Sequence, residues 1–304
     1  MENLNLYAEE CLSVMKSTKN ISEYSSLAYS SDLNDFIKFC DGEIDNDVLV
    51  KYVSHLSQDR HLCDTTISRK LITLKMFFEY LYSKNLIEQN YYQNYHFKFR
   101  KERKLPKTLS KTETAELLKT ATAERNSAKS NPEVLRTSRN LALIDVLIST
   151  GIRIGEASEI SLDDIIESEK TLLIHGKGRK QRLIYISCDE TWNNLDKWLN
   201  IRKEMNISSD KLFVNRSGNQ LGIHGIEYIY KRIKEKASIN PSSTPHYLRH
   251  TFATNLLSNG ADLRSVQELL GHSSVAITEI YTEITSQRKK EVLDKYNFRN
   301  NISV

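Results

Sequence analysis

The chain has 304 residues, 39% hydrophobic and 27% charged, with only 10 Gly and 4 Pro. That balance excludes a disordered or fibrous protein and favours two helix-rich folded domains, at about 100 to 200 residues each. The formal charge is only +4, which does not announce a polyanion partner, and no apolar run approaches the roughly 20 residues that cross a bilayer.

In chain order, helices are predicted over about 4 to 16, 24 to 40 and 46 to 58, then from Thr65 to Ser83. In the last, Ile67, Leu71, Leu74, Phe78 and Leu81 recur at spacings of four and three and share one face. Arg69 and Lys70 on this helix are candidate DNA contacts. KFRKERKLPK then places Lys98, Arg100, Lys101, Arg103, Lys104 and Lys107 against a single Glu102. This excess suits a phosphate backbone, and equally a solvated linker. The predicted division is an N-terminal helical domain over 1–90, a basic linker over 91–107 and a second domain over 108–304.

In the second domain, AERNSAKSNPE around Pro132 reads as a surface loop, followed by a helix, SRNLALIDVLIST, that Gly151 stops. Arg153 comes just after that stop, and Glu156 three residues on can hold its guanidinium, though a surface salt bridge explains the pair as well. TLLIH and RLIYI flank GKGRKQ as a β-hairpin, with KLFVN near 211–215 as a further short strand. Lys177, Arg179, Lys180 and Arg182 crowd the hairpin, where they can enter a DNA groove or serve solubility alone.

PHYLRHTFATNLL starts a helix at Pro245 and buries Leu248, Phe252 and Leu256. His246 and Arg249 lie three apart, off that stripe, and pair a proton-transfer group with a phosphate fork. His250, one turn after His246, admits a zinc reading with His272, but Arg249 beside it is electrostatically awkward for a metal. DLRSVQELLGHSSVAITEIYTEI reads as two helices broken at Gly271, the first capped by Asp262 and the second by Ser273 or Ser274. That layout also fits a helix-turn-helix DNA reader. Tyr281 shares an apolar stripe with Ile277, Ile280 and Ile284, so taken alone it reads as a core aromatic. Cys11, Cys40, Cys63 and Cys188 form no C-x-x-C pair and are expected to be reduced, mostly buried thiols.

The order of these pieces carries more than any one of them. T-G-I-R-I-G-E, the H-G-K-G-R-K hairpin, P-H-Y-L-R-H-T-F-A-T, L-L-G-H-S-S and then I-Y-T closely resemble the tyrosine recombinase (phage integrase) family, with its Xer-like branch nearest. The resemblance implies a mainly α fold with a small antiparallel β-sheet, made of an N-terminal SAM-like core-binding domain and a C-terminal catalytic domain that close around duplex DNA. It makes Tyr281 the nucleophile and Arg153 and Arg249 the clamp on the scissile phosphate. His246, His272 and Lys177 complete the site, and Glu156 supports the first arginine. It further implies a site-specific recombinase working through a 3′-phosphotyrosyl intermediate and a Holliday junction, without metal, ATP or other cofactor. The expected partner is double-stranded DNA with an inverted-repeat core site. Assembly is expected as a homotetramer on DNA or together with a related recombinase. A non-catalytic helix-turn-helix regulator is the alternative.

The chemistry is consistent with that assignment. A phenol of pKa about 10 is protonated at pH 7, and deprotonation costs on the order of 4 kcal/mol. His246 is the candidate base that shares this cost, and such groups give about 10²- to 10⁴-fold. Asn255, Ile152 and Glu283 depart from common family residues without touching the reacting groups. The start, MENLNLYAEECLSVMK, has no secretory pattern, so the expectation is a cytoplasmic protein with no membrane partner and no arm-site domain. The tail, with Val292, Leu293, Tyr296 and Phe298 in or after a short helix, is expected either to dock on a neighbouring subunit or to pack on its own domain.

Overall fold

The computed structural model describes residues 3–19, 21, 23–95, 97, 107–176, 180–205, 207–271 and 282–302. The chain forms two compact units, Met1–Lys104 and Leu105–Val304. Among the described residues no helix is long and apolar enough to cross a membrane.

The first unit contains α1 (Leu4–Lys19), α2 (Glu23–Cys40), α3 (Val48–Ser54) and α4 (Asp64–Ser83). A wider helical turn, His55–Asp59, continues α3, closed by the Arg60 N–H donating to the His55 carbonyl at 3.0 Å. All five residues of the α4 stripe are buried, and they meet Leu33, Phe36, Leu49 and Tyr52. Phe36 is set edgewise against Tyr52 and Phe78, with ring centroids 5.2 and 5.8 Å apart. Each such large apolar side chain contributes about 1.5–3 kcal/mol on full burial, which is what holds these short helices together. Cys11, Cys40 and Cys188 are buried, and Cys63 is exposed.

In the second unit, α5 (Lys111–Ser127) begins where the Glu113 N–H donates to Ser110 Oγ and the Ser110 N–H donates to the Glu113 carboxylate, at 3.1 and 2.8 Å. The helix α6 (Asn131–Thr150) begins with the Ser130 N–H donating to Glu133 and with Pro132 in its first turn. Capping thus drives helix far into AERNSAKSNPE, and the expected long loop shrinks to residues 128–130. From Thr137 to Thr150 every residue of α6 is buried, packed by α5, α8 (Asp189–Glu204) and α10 (Pro245–Ser258). At its end Gly151 has φ 62°, and a Cβ there would run into the Phe252 ring of α10, so glycine is required on both counts. The chain turns at once into α7 (Ile154–Glu159).

One antiparallel sheet follows, β1 (Ile165–Ile166), β2 (Thr171–His175) and β3 (Gln181–Tyr185), in chain order. Its β2–β3 register pairs Leu172 with Ile184, Ile174 with Arg182 and His175 with Gln181. The segment KLFVN does not join it. Leu212, Phe213 and Val214 are buried consecutively, without the two-faced alternation of an outer strand, and among the described residues the segment makes isolated bridges, Ser161–Lys211 and Val214–Gln220.

Beyond lie α9 (Ile223–Lys236), α10, α11 (Leu263–Leu270) and α12 (Thr282–Tyr296). Leu248, Phe252 and Leu256 form the buried face of α10. Asp262 caps α11, accepting the Ser265 N–H at 2.9 Å, and Gly271 ends it at φ 65°. The expected stripe over Ile277, Ile280, Tyr281 and Ile284 lies outside the described side chains. The tail packs on its own unit: Val292, Leu293, Phe298 and Ile302 are buried there, and Asn297 Nδ2 donates to the Ser149 carbonyl at 2.8 Å. The end of α6 and an ion pair from Arg299 to Asp145 hold this segment on its own unit.

Candidate active site

The site grows from the abrupt end of α6. With the helix stopped at Gly151, Arg153 takes an extended backbone and becomes the residue before α7. One turn later Glu156 accepts both the Arg153 N–H, at 2.9 Å, and Arg153 Nη1, at 2.8 Å. Glu156 is 8% exposed, whereas the Arg153 side chain is 40% exposed, so the carboxylate is interior and the guanidinium faces outward.

Arg182 is the second cation on that carboxylate. Its Nη1 and Nη2 donate to Glu156 Oε1 and Oε2 at 3.0 and 2.7 Å, a bidentate fork. This corrects its assignment as a DNA contact at the hairpin tip. It lies on the inward face of β3, opposite buried Ile174, and its charge is consumed inside the unit. Burial alone would raise the Glu156 carboxyl. The hydrogen bonds from Arg182 and from the Arg153 backbone outweigh it and hold the group below the ordinary carboxylate range.

Arg249, on α10, is buried. Its Nη1 donates to the Gly151 carbonyl at 2.8 Å and its Nη2 to the Leu270 carbonyl at 2.7 Å. The first contact ties it to the turn two residues before Arg153. Burial, with the positive fields of Arg153 and Arg182, pushes its guanidinium down to about 10 against the opposing pull of Glu156, leaving it protonated at neutral pH. His246 and His250 both lie on the exposed side of α10, and partial desolvation of the His250 ring, with the fields of His246 and Arg249, lowers its imidazole. Arg153, Glu156 and Arg249, distant in sequence, are thus brought together, with His246 one turn before Arg249.

Tyr281, His272, Lys177 and Arg179 lie outside the described residues, as do Lys98, Arg100, Lys101, Arg103 and Lys104. Lys180 is exposed where the hairpin resumes. In the first unit Lys70 is corrected. It is 6% exposed, and its ammonium donates to Asp32 and Asp35 at 3.2 and 2.8 Å, so it neutralises interior acids rather than phosphates. Arg69 also pairs with Asp32 but keeps a partly exposed side chain.

This network makes stability depend on acid. Burial raises the Asp35 carboxyl, but hydrogen bonds from Lys70, Arg60 and Tyr52 overcome it and bring it to about 2. A depressed carboxylate stabilises the fold above its unfolded value near 3.9, so about 2 kcal/mol should vanish as pH falls from about 4 to about 2. Urea titrations of the full chain should show that loss, and Asp35→Asn should remove most of it. An identical acid limb in the variant would contradict the assignment.

Residues 107–288 match the Phage integrase family, and residues 9–85 match the Phage integrase, N-terminal SAM-like domain. Tyrosine recombinase XerC of Leptospira interrogans is 35% identical over 301 residues, covering 97% of this chain and 94% of the relative. Tyrosine recombinase XerC of Listeria innocua is 33% identical over 301 residues, covering 95% and 96%. The solved structure of XerH site-specific recombinase bound to palindromic difH substrate, a post-cleavage complex, is 27% identical with a TM-score of 0.69, covering 93% of this chain and 83% of that chain. A lambda integrase dimer bound to a COC' core site shares the fold at 16% identity and a TM-score of 0.66, covering 91% and 99%. With both family models matched and relatives about 35% identical across nearly the whole chain, the chain belongs to the phage integrase family and is a tyrosine-type site-specific DNA recombinase.

Proposed function

We propose that this recombinase cuts DNA by attack of Tyr281 Oη on the scissile phosphorus and rejoins it by reversal of the same step. The new bond joins Oη to phosphorus and the bond to the 5′-oxygen breaks, leaving a 3′-phosphotyrosyl ester and a free 5′-hydroxyl. His246 takes the phenolic proton and Lys177 supplies one to the departing oxygen. Arg153 and Arg249 neutralise charge gathering on the non-bridging oxygens, with His272 donating a further hydrogen bond. The ester keeps the bond energy for attack by a partner strand's hydroxyl, so rejoining needs no ATP.

The observation that carries this reading is the tie of Arg249 to the Gly151 carbonyl, which sets two guanidinium groups on one turn. Glu156 anchors the first and leaves its side chain outward. In this reading residues 1–90 form the core-binding domain, 91–107 a basic linker and 108–304 the catalytic domain. Lys98, Arg100, Lys101, Arg103, Lys104, Arg179, Lys180 and exposed Arg69 supply phosphate contacts. Two duplexes cut on both strands need four nucleophiles, hence four copies, or two copies with two of a related recombinase, on inverted-repeat core sites. Strands then exchange in pairs through a Holliday junction.

The test is incubation with a nicked target duplex in EDTA. A denaturant-resistant protein–DNA adduct that is lost in Tyr281→Phe is expected. Binding of a verified site with no adduct would overturn the reading in favour of a reversible DNA-binding regulator.

A further inference from the structure

The reaction chemistry leaves Arg182 unused, yet its guanidinium makes three hydrogen bonds among the described residues, against two from Arg249. Besides its fork onto Glu156, its Nε donates to the Leu269 carbonyl at 2.8 Å. Arg249 takes the next carbonyl, Leu270. The last carbonyls of a helix have no partner within it, and here two arginines from different elements cap neighbouring ones at the end of α11. Gly271 admits this approach, since a Cβ there would lie 2.9 Å from Arg182 Nη1 and 3.2 Å from its Cδ and Cζ.

We infer that Arg182 is a positioning residue for strand cleavage, acting through Glu156 on Arg153; this rests on the functional reading above. With both oxygens of Glu156 occupied by Arg182, the Arg153 side chain makes one hydrogen bond to that carboxylate, through Nη1 to Oε1. Without Arg182 the carboxylate becomes open to a full fork from Arg153, which draws the donors of Arg153 back from the phosphate. The same side chain ties three pieces of the site to one carboxylate. These are β3, which follows Lys177 in the chain, the end of α11, which precedes His272, and the start of α7.

The experiment measures single-turnover adduct formation on the nicked duplex at saturating protein, alongside DNA affinity. Arg182→Gln should slow the step on the order of 10²-fold while changing affinity by no more than about twofold. The double variant Arg182→Gln with Glu156→Gln should be no slower than the slower single one, because the two act as one unit. On a duplex carrying a neutral methylphosphonate at the scissile position, the deficit should shrink, because the charge that Arg153 meets has been removed. Arg182→Lys, which keeps the charge but not the fork, carries the same measurements should the glutamine variant not fold.

Near-normal cleavage by the folded variant overturns the inference alone, as does a defect confined to affinity. Multiplying deficits in the double variant, or equal slowing on both substrates, also overturn it, the latter marking a purely structural role. A wild-type chain that forms no adduct overturns the functional reading and this inference together.

Discussion

Replacing Arg249 by alanine is expected to slow covalent adduct formation by at least about 10³-fold in the folded protein, while DNA affinity changes by less than about threefold. Among the described residues, Arg249 directs two of its five N–H donors at the Gly151 and Leu270 carbonyls, and the proposed clamp assigns others to the phosphate. Charge on the phosphoryl oxygens grows only toward the transition state, so a fixed cation there accelerates the step more than it tightens binding. Affinity is shared by many basic groups, and one buried arginine adds little to it. The substitution also strips two buried carbonyls of their donor, at about 1–3 kcal/mol each. The rate is therefore to be compared at a temperature where the variant is shown to be folded. Arg249→Lys keeps the charge without the two-carbonyl span, and should recover stability less than it recovers charge. Near-normal cleavage by the folded alanine variant would remove Arg249 from the phosphate clamp.

Arg299→Ala is expected to cost the catalytic domain about 3–5 kcal/mol, the usual result of stranding one partner of a buried ion pair. Asp145, in the centre of α6, and Arg299 are 0% and 1% exposed at their side chains, joined from Nε to Oδ1 at 2.6 Å and from Nη2 to Oδ2 at 3.0 Å. Thr191 and Asn194 donate to the same carboxylate at 2.8 and 2.9 Å, so Asp145 holds α8 and the tail onto α6 at one point. The midpoint of urea unfolding followed in the second unit reads the loss. Arg299→Met with Asp145→Leu should recover much of it, because the uncompensated charge is gone. A loss below about 1 kcal/mol in Arg299→Ala would put the pair on the footing of a surface salt bridge. Truncation after Thr285 would remove this anchor and therefore damage folding, whatever else the tail does.

How far these features could be read from the chain depends on whether their signal is local. The α4 stripe repeats every three or four residues over about four turns, and the stop at Gly151, the Asp262 cap and the end at Gly271 are single-residue signals, so all were legible as spacing. Arg182 carried a signal that its position near a hairpin tip obscured. It has the same strand parity as Ile184 and Ile186, both buried, so alternation already places it inward. Lys70 likewise lies three residues after Ile67 and four before Leu74, within the buried face rather than beside it. No local pattern could announce the pairing of Asp145 with Arg299, or of Arg182 with the end of α11, since those partners meet only after the whole unit has folded. KLFVN has strand-forming residues, but burial on all sides rather than pairing decides its place, and propensity is blind to that difference. The family resemblance supplied roles for Tyr281, His272 and Lys177 that no isolated residue pattern justified.

The central claim is that one phenolic oxygen near the C-terminus accepts the 3′-phosphoryl end of a cut strand. The most direct measurement traps the adduct on a nicked duplex, trims it with nuclease and protease, and locates the nucleotide-bearing residue by mass spectrometry. The expected result is a single modified peptide with the nucleotide esterified through its 3′-phosphate to Tyr281. A linkage through a 5′-phosphate, or modification of any other residue, would contradict the account.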